Sequence, residues 1–106
     1  MSTQRIKRHD TGQLFTSTLT LDGDPFDLTN CTVSFIMKTD DGVTQVKQTA
    51  TVTDAGAGEV EYQPLAADVD TSGRYNVEWE VILPGGKILT FPNDGYNRLI
   101  ILDDLG

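Results

Sequence analysis

Cysteine, histidine and tryptophan each occur once in this 106-residue chain, and each scarcity closes off a kind of chemistry. With Cys31 alone, no intrachain disulfide can form, and neither a cysteine-based zinc site nor a secreted disulfide framework is available; folding in a reducing compartment is expected. With His9 alone, most Ser-His and Cys-His nucleophilic schemes and every multi-histidine metal site are excluded. No apolar run nears the roughly 18 residues a membrane helix needs, and Met1 to Asp10 has no apolar region of the signal-peptide kind. The product is therefore expected to be soluble, without membrane insertion and not exported by the usual route.

Basic residues are also few, 8 against 16 acidic ones, for a net charge of -8. Arg5, Lys7 and Arg8 precede Asp10, while every acidic residue lies at or after it. Phosphate binding needs a basic surface, so no nucleic acid is expected as a partner. The charge step reads as a flexible basic N-terminal arm over residues 1–10, solvated or docked on an acidic partner, ahead of a single β-sandwich domain over residues 11–106.

Helix signals are nearly absent. Only Leu65 to Val69 is compatible with one, and five residues make no more than a single turn. No Gly-rich phosphate loop can precede a helix that does not exist. Paired carboxylates stand at Glu59/Glu61 and Glu78/Glu80, but the i, i+2 spacing puts each pair on the outward side of a strand, where solvation explains them better than convergence across a cleft. Asp22, Asp24 and Asp27 lack the distal glutamate and ligand spacing of an EF-hand and read as turn residues. No catalytic, cofactor-binding or metal residue is assigned, and no enzyme activity is expected.

What the sequence does hold is alternation. From Tyr75 to Val81, Tyr75, Val77, Trp79 and Val81 fall on one side of an extended chain and Asn76, Glu78 and Glu80 on the other. This run contains the only tryptophan and is taken as the central strand of the core. Around it, Gln13 to Leu21 reads as a strand with Phe15, Leu19 and Leu21 on one face, and Cys31 to Lys38 as a strand with Cys31, Val33, Phe35 and Met37 inward and Ile36 outward. Asp41-Gly42 supplies a hairpin turn into a return strand from Val43 to about Thr53. Glu59 to Gln63, Lys87 to Phe91 and Tyr96 to Leu102 complete seven or eight strands joined by turns, an all-β antiparallel sandwich. The run Leu99-Ile100-Ile101-Leu102 has no polar alternate, so both of its faces should be covered.

Two stretches resemble known patterns. Asp70-Thr71-Ser72-Gly73-Arg74-Tyr75-Asn76-Val77 resembles the immunoglobulin tyrosine corner, which implies that the Tyr75 hydroxyl bonds back to the chain near Leu65 to Asp70; Val77 stands where the partner cysteine would be. More broadly, Ile6-Lys7-Arg8-His9-Asp10-Thr11, Asp27-Leu28-Thr29 leading into Cys31-Thr32-Val33-Ser34-Phe35, Gly73 to Glu80 and Thr90-Phe91-Pro92-Asn93-Asp94-Gly95-Tyr96 resemble the small immunoglobulin-like domain of phage tail proteins. That family comprises the N-terminal domain of baseplate upper proteins and related single-domain minor structural proteins of long-tailed phages. The resemblance covers about residues 6 to 102. It departs at His9, where the family reads glycine and a bend with positive φ would be easy.

The resemblance implies a virion structural or adaptor protein of the tail or baseplate, assembled in the bacterial host cytoplasm and working through contacts with other virion proteins, with copies able to associate in the particle. Arg5, Lys7 and Arg8, together with the outward apolar residues Ile36, Leu99 and Ile101, are the candidate docking groups; the apolar ones are either an interface or covered within the fold. The alternative is a carbohydrate- or host-surface-binding β-sandwich. It would use an exposed aromatic ring, with Phe26 and Tyr62 as candidates and Tyr96 as the best of them.

Overall fold

Tyr75, Val77, Trp79 and Val81 are buried, while Asn76, Glu78 and Glu80 stay partly exposed, which is the signature of a strand with one face on a core. The computed structural model describes residues 3–9, 11–12, 14–91 and 97–103. Its strands are β1 Thr3–Lys7, β2 Phe15–Thr18, β3 Thr20–Leu21, β4 Asp24–Pro25, β5 Thr32–Thr39, β6 Thr44–Thr49, β7 Thr51–Asp54, β8 Glu59–Tyr62, β9 Gly73–Ile82, β10 Ile88–Phe91 and β11 Asn97–Leu102. They form a six-stranded sheet in the order β1-β11-β9-β5-β6, with β10 also on β9, a three-stranded sheet β2-β8-β7, and the short ladder β3-β4. The expected all-β, sandwich-like architecture is present.

Both sheets supply an aromatic pair to the core. Phe35 and Trp79 are register partners on β5 and β9, and Phe15 and Tyr62 are register partners on β2 and β8. Across the gap the Phe35 ring stacks on Tyr62 at 4.6 Å and on Phe15 at 5.2 Å, while Trp79 meets it edge-on at 5.2 Å and 72°. Phe35, Val81 and Val69 are fully buried at 0% exposure, and Leu28, Leu99 and Ile101 extend the same cluster.

The structure differs from the sequence reading in several places. Residues 3–7 do not form a flexible arm. They pair in parallel with β11, because Ile6 drops into the core beside Ile101 and the open edge of β11 offers a ladder of unpaired backbone groups. The return strand expected from Val43 to Thr53 is broken at Ala50, whose N–H bonds to the Val33 carbonyl; β6 belongs to the large sheet and β7 to the small one, so the chain changes layers there. That break and the short β3 and β4 raise the strand count above eight. Cys31 is only partly buried, packing at the margin of the core. Desolvation, aided by the negative charge of Asp27, pushes its thiol up, away from thiolate character.

The tyrosine corner is present one residue later than expected: the Tyr75 hydroxyl donates to the Thr71 carbonyl at 2.8 Å. Residues 66–69 form one 3-10 turn. The Asp68 carboxylate anchors it by accepting from the Leu65 N–H at 2.9 Å and from the Tyr62 hydroxyl at 2.5 Å. Burial and that carboxylate raise the Tyr62 pKa far above its ordinary value. His9 does adopt the bend a glycine would favour, at φ 63°, with its N–H on the Val69 carbonyl at 2.8 Å.

Two stability predictions follow from this packing. Trp79→Ala should cost about 3 to 5 kcal/mol and leave little folded protein, and an unchanged melting temperature would show that the ring is not central. His9→Gly should stabilise by under about 1 kcal/mol, since relief of the left-handed strain is partly cancelled by glycine's extra chain entropy. A urea midpoint that rises at constant slope is the expected result.

Candidate interaction face

On the outer side of the large sheet, strand pairing collects charge that is scattered in the sequence. Arg5 lies beside Ile100, and Ile100 lies opposite Arg74. In the next row Thr3 adjoins Arg98, Arg98 faces Asn76, and Asn76 faces Lys38. Lys7 adjoins Leu102, and Lys47 faces Ile36 from β6. Among the described residues, six of the eight basic ones thus share one face whose register positions carry two carboxylates, Glu78 and Glu80, in a chain of net charge -8.

The two carboxylates sit on the β5 and β6 side, where Lys38 pairs with Glu78 and Lys47 with Glu80, each at 3.5 Å. Over β1, β11 and the start of β9, no outward register position among the described residues carries a carboxylate. This half presents Arg5, Lys7, Arg74 and Arg98 around a half-exposed Ile100 and an exposed Leu102. Apolar residues ringed by arginine give a surface that can bury an apolar centre and form charge-assisted hydrogen bonds at its rim.

The expected docking residues divide accordingly. Arg5 and Lys7 lie on this face, on a strand rather than in a mobile arm. Arg8 follows them, half-buried, with its N–H on the Leu102 carbonyl at 2.9 Å. Ile36 does point outward, but it is only 5% exposed, flanked by Lys47 and Glu78, whose stems can cover it, so it offers no open patch. Leu99 and Ile101 point inward and are buried at 1% and 2%; Ile100 and Leu102 are the outward pair. Tyr96 lies outside the described residues. Arg74, Arg98, Ile100 and Leu102 were not singled out by sequence reasoning, and only strand order brings them together.

The outer side of the small sheet has the opposite character. Thr16 and Thr51 flank Glu61, and Thr18 and Asp54 flank Glu59; Thr16, Thr18, Thr53, Glu59 and Glu61 line a shallow depression of about 520 Å³ there. Its three strands contain no basic residue. Elsewhere, the Asp27 carboxylate accepts from the Thr29 N–H at 3.0 Å and hydroxyl at 2.6 Å, a local turn that lowers its pKa.

Comparison with known proteins gives this surface a setting. The model of the BppU N-terminal domain, the N-terminal domain of the baseplate upper protein, matches residues 2–90. The chain belongs to that family. The family is a structural domain of the phage tail and baseplate, which makes the chain a virion component. No curated protein matches the chain. Among solved structures, the N-terminal domain of phage TP901-1 ORF48 superposes with a TM-score of 0.62 at 12% identity, over 98% of this chain and 84% of that one. CopC from Methylosinus trichosporium OB3b superposes with a TM-score of 0.56 at 14% identity, over 100% of this chain and 89% of that one. At such identities the likeness is one of fold.

Inward and outward positions of these strands should respond unequally to substitution. Leu99→Ala should cost about 2 to 5 kcal/mol by emptying a core site, whereas Arg5→Glu and Arg74→Glu should each stay within about 0.5 kcal/mol. Equal losses in chemical denaturation would show that the basic face is part of the fold's own support.

Proposed function

We propose that this chain is a non-enzymatic adaptor of the phage tail or baseplate, joining other virion proteins through protein contacts, without a cofactor and without nucleic acid. The observation that carries the reading is the basic face: Arg5, Lys7, Arg74 and Arg98 around Ile100 and Leu102, on a protein that is otherwise acidic. A face of this kind meets an acidic protein surface with steering at long range and apolar contact at short range. Family membership supports a place in the virion, and assembly in the bacterial host cytoplasm is part of this proposal.

The glycan-binding alternative has less to stand on. Tyr62 is 7% exposed and stacked on Phe35, and Phe26 is half-buried against Phe91 with ring centroids 5.4 Å apart. Neither presents an open ring face for a sugar.

Particles assembled with the wild-type chain should carry it and yield crosslinks between the basic face and another virion protein. Particles assembled with the Arg5→Glu/Arg74→Glu chain should lose most of it. Wild-type particles in which the chain contacts no virion component would overturn the adaptor reading. Full incorporation of the charge-reversed chain would remove the basic face as its docking surface.

A further inference from the structure

We propose that the basic face also accepts the threonine-glutamate face of a second copy, so that copies stack head to tail; this rests on the basic face described above but not on the identity of any other virion partner. The two surfaces lie on opposite outer sides of one sandwich, one on β1, β11 and β9, the other on β2, β8 and β7. Glu59 and Glu61 offer carboxylates to Arg5 and Arg74, and the hydroxyls of Thr16, Thr18 and Thr51 offer short hydrogen-bonding groups beside them. The charge and groups of this surface complement the basic face.

The arrangement selects its own symmetry. Basic face against basic face brings like charges together and is repulsive, so a two-fold pair through either face alone is disfavoured. Opposite faces on one copy give a heterologous contact, which repeats until it closes into a ring or ends on a different partner.

The contact is also weak, for two reasons. Three strands about 4.8 Å apart and about four residues long make a footprint on the order of 200 Å², against roughly 800 Å² per partner in a stable interface. In addition, each copy carries a net charge of -8 and repels the next at long range. With the shortest dimension of the molecule at 23 Å, that repulsion is largely screened at physiological ionic strength, where the screening length is about 8 Å, while adjacent charges still attract. Stacking therefore belongs to crowded copies, as in an assembly that holds them at roughly millimolar effective concentration.

Heteronuclear NMR of the purified wild-type chain tests this without any variant. Raising the concentration from about 0.05 to about 1 mM should shift the amides of Arg74, Ile100 and Leu102 together with those of Thr16, Thr18 and Glu61, and about 1 M salt should abolish both sets. The Arg5→Glu/Arg74→Glu and Glu59→Lys/Glu61→Lys chains should each lose the concentration dependence alone. Mixed, they should recover it, with the native threonine-glutamate face of the first and the native basic face of the second shifting together. Absence of shifts in the wild type, shifts confined to one face, or a silent mixture would overturn head-to-tail stacking. So would a short DNA duplex shifting the basic face in a chain that shows no self-association. Each of these failures leaves the particle experiment, and the adaptor role it tests, standing or falling separately.

Discussion

The stack of Phe35 between the two sheets is the contact on which the rest of the molecule depends. One ring from β5 is held on its faces by Phe15 and Tyr62 and at its edge by Trp79, so four strands from both layers converge on a single buried group. Side chains in a strand alternate, and fixing one ring of each pair fixes the side on which all of their neighbours lie. A slip of one residue in β9 would turn Trp79 to water and Glu78 and Glu80 inward, and burying an unpaired carboxylate is costly. Aromatic packing thus sets register, and register sets the surface.

That surface is where the protein's chemistry resides. The same alternation that buries Leu99 and Ile101 turns Arg98, Ile100 and Leu102 outward, and pairing with β1 and β9 sets Arg5, Lys7 and Arg74 around them. On the far side, β2, β8 and β7 turn threonine and glutamate outward by the same rule. A small acidic protein is thereby given two unlike sides. The chain belongs to a structural domain of the phage tail and baseplate, and its two unlike faces are what the adaptor proposal draws on.

Legibility in the sequence followed the length and clarity of the alternation. The strand from Gly73 to Ile82 could be read directly because polar and apolar residues alternate over its whole central run. The segment Thr3–Lys7 could not, since Ile6 is its one apolar residue and its extended state depends on the vacant edge of β11, a tertiary fact. Leu99 to Leu102 hid its parity because every residue is apolar: Leu99 and Ile101, expected outward as docking groups, are the buried pair, and Ile100 and Leu102 are the outward one. Ile36 was read correctly as outward, but the Lys47 and Glu78 stems that can cover it come from strands whose register only the fold reveals. The basic face itself combines three strands, β1, β11 and β9, and no spacing along the chain marks it.

The parallel seam between β1 and β11 has a mechanical consequence. Tension applied at the start of β1 and the end of β11 would drag the two strands past one another lengthwise, loading all the hydrogen bonds between them at once. An antiparallel pair tugged at adjacent ends instead peels open bond by bond. The edge that carries Arg5 and Lys7 is therefore built to resist being sheared, and it would give way as a unit when it fails.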